Sequence, residues 1–134
     1  MSPLAYLEQL VAFGRTVDGT WDGDGIASGV AGTNSGKYAL GVAEASDVLG
    51  ITGSQTALFD GETVDATAIL IKFTYAGDAN LDGAITGDDY FQIDSAFPTG
   101  GHSWFNGDFN YDGSITGDDY FLIDSNFAAQ GPPL

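Results

Sequence analysis

Residues 78–97 read DANLDGAITGDDYFQIDSAF, and residues 108–127 read DFNYDGSITGDDYFLIDSNF. Fifteen of the twenty positions are identical, the register running from Asp78 to Asp108, and a glycine precedes each copy at Gly77 and Gly107. Self-similarity at a fixed period marks one supersecondary unit used twice. In each copy, oxygen-bearing side chains alternate around a glycine turn. Tyr90, Ile93 and Phe97 then fall at i, i+3 and i+7, and Tyr120, Ile123 and Phe127 repeat them, which predicts a helix after each turn. The acids opening that helix sit where its N-terminus favours negative charge.

Each copy fits a twelve-residue calcium loop of the EF-hand type. Asp78, Asn80 and Asp82 occupy positions 1, 3 and 5, and Gly83 takes the sharp turn at position 6. Ala84 at position 7 ligates through its carbonyl, Thr86 at position 9 through water, and Asp89 at position 12 closes the shell. Ile85 at position 8 is expected to pair the two loops across a short β contact. The second loop repeats the set with Asp108, Asn110, Asp112, Gly113, Ser114, Ile115, Thr116 and Asp119. Three carboxylates within ~5 Å repel by roughly 3 kcal/mol per pair at an effective dielectric of about 20, so a turn without a cation would spread or protonate. The expectation is one Ca²⁺ per loop.

The rest of the composition agrees. Nineteen acids face three bases, for a net charge of −16, which argues against nucleic acid and against an anionic membrane surface. Sixteen of the acids are Asp, a residue of caps and turns. The 20 glycines are about twice the usual ~7%. With 43% hydrophobic residues a core can form. There is no Cys, so a small exported domain must be stapled some other way, and metal is the usual one. No apolar run reaches about 18 residues. The first ten residues lack a basic region and a continuous apolar stretch, so they do not read as a signal peptide.

Residues 1–76 read as a small β-rich unit. Ser2 caps a short helix with Pro3 at its first position; Leu4, Leu7, Leu10 and Val11 share a face, and Gly14 stops it. Asp18-Gly19, Asp22-Gly23 and Asp24-Gly25 mark turns. Strands are expected at Tyr38–Val42 and around Val48–Ile51, a hairpin across Asp60-Gly61, and the clearest strand at Ala68–Tyr75. No flexible linker separates it from the first loop. The fold expected is α+β: a β-rich unit over 1–76, then a two-helix, two-calcium loop–helix pair over 77–134.

The loops resemble type I dockerin repeats. Position 12 is Asp (Asp89, Asp119), each loop is followed but not preceded by an amphipathic helix, and each opens Gly-Asp-x-Asn-x-Asp-Gly. The resemblance covers about residues 77–130. It implies a loop–helix pair that two Ca²⁺ ions fold and that docks onto a cohesin-like protein partner. Such modules commonly end secreted enzymes or surface proteins, which implies an extracellular setting and polysaccharide breakdown as the parent protein's task. Family members often carry small hydroxylated residues at loop positions 10 and 11; here these are Gly87-Asp88 and Gly117-Asp118, and the helices carry no Lys or Arg. Residues 19–32, 38–50 and 59–83 are also similar to the ends of very large secreted or surface-anchored bacterial proteins, some of autotransporter type. This implies a monomeric module within a longer exported polypeptide.

The function expected is therefore non-catalytic, calcium-dependent protein–protein attachment outside the cell. Asp88, Phe91, Asp118 and Phe121 are the expected partner contacts, being free of metal duty and placed alike in both copies. Alternatives are a carbohydrate-binding appendage of a polysaccharide hydrolase, using Trp21 or Trp104 to stack on sugars, and a calcium sensor or buffer. The missing incoming helices and the single Met oppose the sensor. Asp18, Asp22 and Asp24 do not hold the loop register, since Gly29 falls at position 12, so they read as turn residues. His102 beside Ser103 reads as a linker residue rather than half of a nucleophile–base pair.

Overall fold

A computed structural model describes residues 2–34 and 36–134. Helix α1 (Pro3–Arg15) starts as expected, with Ser2 Oγ accepting from Ala5 N at 3.1 Å. It runs one residue beyond Gly14 because the next segment doubles back along it: Trp21 N donates to Arg15 O, Gly23 N to Gly14 O and Ile26 N to Leu10 O. A short helix α2 (Gly29–Thr33), capped by Ser28, leads into strand β1 (Tyr38–Glu44). Its Gly-rich sequence has low helix propensity and gave no periodic signal.

The stretch expected as a strand at Val48–Ile51 is instead the end of helix α3 (Ala45–Leu49), closed by Gly50 in the left-handed conformation at φ 65°. Val48 and Ile51 are β-formers, but tertiary contact overrides that preference. Ala45 N is held by Ala68 O, and Ile51 is buried past the cap. Strands β2 (Thr56–Phe59) and β3 (Glu62–Asp65) form the expected hairpin, pairing Thr56 with Asp65 and Phe59 with Glu62. Strand β4 (Ile69–Tyr75) lies antiparallel to β1, pairing Tyr38 with Tyr75 and Glu44 with Ile69. Two helices follow, α4 (Gly87–Ala96) and α5 (Gly117–Ala129), joined through short 3₁₀ turns at Phe97–Thr99 and Trp104–Asn106. The architecture is α+β with two small two-stranded sheets.

One buried cluster draws on both 1–76 and 77–134: Val11, Trp21, Val42, Leu70 and Tyr75 pack with Leu81, Ile85, Ile93, Trp104, Phe109 and Ile123. Trp104 is its keystone. Leu81 and Trp104 leave no room for a side chain at Gly41 of β1, and the Trp104 ring stacks on Tyr111 at 5.4 Å and meets Phe109 edge-on at 5.2 Å. Its indole N–H donates to Asp78 O at 2.9 Å, and its backbone N–H to Glu8 Oε1 of α1 at 3.2 Å. The segment around His102 is thus tied to α1 and to the first loop. No helix among the described residues is long and apolar enough to cross a membrane.

Candidate metal centres

A turn just past the end of strand β4 delivers Asp78, its N–H donating to Tyr75 O at 3.0 Å, and the N-terminus of α4 delivers Asp89. Thr86 caps α4: its hydroxyl accepts from Asp88 N at 3.3 Å, while its own N–H donates to Asp89 Oδ2 at 2.8 Å. Between them the turn is held by Asp side chains. Asp82 N donates to Asp78 Oδ1 and Asn80 Oδ1, Gly83 N to Asp78 Oδ2, and Ala84 N to Asp82 Oδ1, at 2.8–3.2 Å. The second loop repeats every one of these bonds through Asp108, Asn110, Asp112, Gly113, Ser114, Thr116 and Asp119. Leu81 and Tyr111, at position 4 of each loop, both take the left-handed conformation, at φ 58° and 59°. Few non-glycine residues do so, and here the loop imposes it twice.

The result is two groups of carboxylates, Asp78–Asp82–Asp89 and Asp108–Asp112–Asp119, whose oxygens lie within 4.8 Å of one another. No other such group occurs among the described residues. Asp18 and Asp22 bond instead to the hydroxyls of Thr16 and Thr20, as turn residues do.

Charge makes these groups demanding. Asp78, Asp89 and Asp119 are fully buried and Asp108 nearly so. Burial lifts Asp78 and Asp108 to about 7 and Asp89 to about 6, although loop amides oppose the rise. Asp119 moves the same way. The only Lys or Arg within ion-pair distance of a carboxylate, among the described residues, is Lys72 beside Asp60 at 3.1 Å. Asp82 and Asp112 complete the groups from the exposed side. Crowded carboxylates, two of each three buried and none paired with a base, with an all-oxygen donor set fit a hard divalent cation.

No family model, curated protein or solved structure matches the chain. The chemistry is therefore read from the site itself. The structure brings the three acids of each loop together. Asn80 and Asn110 brace the turn through Oδ1, Ala84 and Ser114 sit within it, and the hydroxyls of Thr86 and Thr116 serve as helix caps.

The copies are related by a pseudo-twofold between α4 and α5. Tyr90 OH donates to Asp124 Oδ1 at 2.6 Å, and Tyr120 OH to Asp94 Oδ1 at 2.7 Å. The Tyr90 ring meets Phe127 edge-on at 5.8 Å, and Tyr120 meets Phe97 at 5.9 Å. Burial and these carboxylates push both phenols up to about 12. The glycines before each loop explain themselves here: a Cβ on Gly77 would crowd Ile123, and one on Gly107 would crowd Ile93. The expected β contact between Ile85 and Ile115 is not formed, because the side-chain amide of Gln130 occupies both backbone groups of Ile85.

Sequence reasoning missed four residues around the loops. Thr74 donates its hydroxyl to Asp78 Oδ2 in the first loop only. Arg15 lies in the field of Asp119, Asp108 and Asp112 of the second. Trp104 and Gln130 complete the set. All four lie outside the repeated stretch, so comparing the copies gave no signal for them. The expected partner residues are exposed on the helices, Phe91 at 66% and Phe121 at 70%. Asp118 shares a groove with Phe13 and Arg15, and Phe121 one with Asn34 and Lys37.

Proposed function

We propose that the chain is a non-catalytic calcium module of dockerin-like build, which attaches its parent polypeptide to a protein partner outside the cell. The observation that carries this reading is the pair of carboxylate triads, each with two buried acids and one exposed, at equivalent positions of two loop–helix units. In each loop the Asp carboxylates, Asn80 or Asn110, and the carbonyl of Ala84 or Ser114 would hold the ion. Bound Ca²⁺ supplies four positive charges in total against the ten acids that follow Tyr75.

The attachment surface is the exposed face of α4 and α5, where Asp88–Phe91 and Asp118–Phe121 hold equivalent helix positions, the second pair beside Arg15 and Lys37. Phenylalanines flanked by acids suit a cohesin-like partner with an apolar patch and a basic rim. Trp21 and Trp104 are buried, which weighs against either of them stacking on a sugar.

The test has two stages. Calorimetry on the full chain should give two calcium sites, with Asp88→Ala nearly unchanged because position 11 carries no ligand. Retention of a secreted protein should then require calcium. It should survive substitution of one Asp–Phe pair and vanish when both are replaced. Calcium-dependent binding on a polysaccharide array, with no protein retained, would favour the carbohydrate alternative instead.

A further inference from the structure

The tail from Gln130 to Leu134 folds back over the first loop, and the geometry points to Gln130 as a positioning residue for the metal site in that loop. The inference rests on the calcium reading above. Ile85 N–H donates to Gln130 Oε1 at 2.8 Å, and Ile85 O accepts from Gln130 Nε2 at 2.9 Å. One side-chain amide thus makes the two bonds that a neighbouring strand would make. The rest of the tail is pinned as well. Gly131 N donates to Tyr75 OH at 3.0 Å, Tyr75 OH donates to Pro132 O at 2.8 Å, and Leu134 N donates to Gly83 O at 3.0 Å. The Leu134 backbone lies so close that a Cβ on Gly83 would stand 2.4 Å from its oxygen.

The consequence follows from peptide planarity. Ile85 N–H and Ala84 C=O belong to one rigid trans unit and point in opposite directions. Anchoring that N–H on Gln130 fixes where the Ala84 carbonyl points, and that carbonyl is the expected ligand at position 7. The oxygen is therefore set before a cation arrives, which lowers the ordering cost of binding. The second loop provides the contrast. The position equivalent to Gln130 after the first copy is Gly100, which has no side chain to offer. Gly113 has open space around it, and among the described residues no hydrogen bond anchors Ile115 N–H.

Calcium titration of the full chain, followed by ¹H–¹⁵N NMR at the Gly83 and Gly113 amides, separates the two sites. In the wild type Gly83 should saturate first. Gln130→Ala, or Gln130→Met where the alanine variant does not fold, should weaken the Gly83 site roughly tenfold and leave the Gly113 midpoint in place. Gln130→Glu keeps the acceptor for Ile85 N–H and should recover most of the loss. Equal shifts at both amides, or none at either, would remove Gln130 from the site while leaving the calcium reading intact. A wild type in which neither amide responds to calcium would overturn that reading and this inference with it.

Discussion

In the first loop position 2 is Ala79 and position 4 is Leu81; in the second they are Phe109 and Tyr111. The other three differences between the copies are Ala84 and Ser114, Gln92 and Leu122, and Ala96 and Asn126. Most of these positions face the remainder of the chain. Leu81 packs at Gly41, Phe109 and Tyr111 flank Trp104, and Tyr111 OH donates to Leu40 O. Asn126 Nδ2 reaches Gly36 O at 2.7 Å and Ala76 O at 2.8 Å. The fifteen shared positions build what the copies have in common: the triads, the Thr caps and the crossed Tyr–Asp pairs. Identity therefore marks the pseudo-twofold, and difference marks where residues 1–76 break it. The first loop is enclosed by β4, Thr74 and the tail, whereas the second lies open beside α1 and Arg15.

Removing both ions is the largest perturbation of this pair. Ten acids and no Lys or Arg follow Tyr75, so chelation should cost α4 and α5 their order. The enclosed loop should resist longer. Hydrogen exchange in EDTA is expected to open Gly113–Phe127 before Gly83–Phe97, with loss of helical circular dichroism. Superimposable spectra with and without EDTA would refute the metal staple.

Substituting position 12 comes next and is expected to be unequal. Asp89 accepts from Asn80 N and Thr86 N, but Asp119 accepts from Phe109 N, Asn110 N and Thr116 N. Each variant to Ala should abolish one calcium site. Asp119→Ala should destabilise the fold slightly more, by about 0.5–1 kcal/mol, the net worth of one hydrogen bond, since Phe109 N keeps Gly107 O as an acceptor at 3.0 Å. Denaturant melts of the two variants check the order; equal midpoints would mean the extra bond contributes nothing. Coupling to the surviving site should run through the α4–α5 contact rather than through Ile85 and Ile115.

These contrasts explain what the sequence could and could not disclose. The loops, α4, α5 and the start of α1 were legible because spacing and caps are local: Asp78 to Asp89, or Ser2 to Ala5. The hairpin was legible from its Asp60-Gly61 turn, and β4 from alternation. Helix α3 escapes pattern reading because Val48 and Ile51 carry β preference while the deciding contact joins Ala45 to Ala68, across the whole β2–β3 hairpin. Trp104 gave no hint that its indole would meet Asp78, 26 residues back. Gln130 was invisible for the same reason, its partner Ile85 lying 45 residues earlier. What pattern reading lost were the long-range contacts that make the two loops differ.

Protons provide a gentler probe. Burial holds Asp78 and Asp108 at about 7 and Asp89 at about 6 in the metal-free chain, against an ordinary 3.8. The folded chain then keeps protons that the unfolded chain releases. Its stability should be fullest below about pH 4 and fall as pH rises towards 7. With calcium the sign reverses, because protons compete with the cation for the same oxygens. Helical circular dichroism followed across pH 4–8 should slope in opposite directions in EDTA, where the order lost at neutral pH returns in acid, and in calcium; parallel slopes would contradict the assignment. Thr74→Val should steepen the EDTA slope, since its hydroxyl lowers Asp78 and has no equivalent at the second loop.

The smallest expected effect tests the symmetry itself. Tyr90→Phe and Tyr120→Phe each delete one hydroxyl from a crossed pair, leaving the ring and its edge-on neighbour in place. A hydrogen bond to a carboxylate on a partly exposed surface contributes on the order of 1 kcal/mol, and the acid left behind can turn to water. The two bonds, at 2.6 and 2.7 Å, are nearly equal in length, and so are the two ring distances, at 5.8 and 5.9 Å. The two variants should therefore lose nearly the same stability, and because the pairs bridge the same helices the double variant should lose slightly more or less than the sum. A double-mutant cycle by denaturant melting measures both quantities. A loss at Tyr120 much larger than at Tyr90 would mean that the contacts of α5 with Gly36 and Ala76 through Asn126 reach into the helix pair, and that residues 1–76 break the twofold there as well as at the loops.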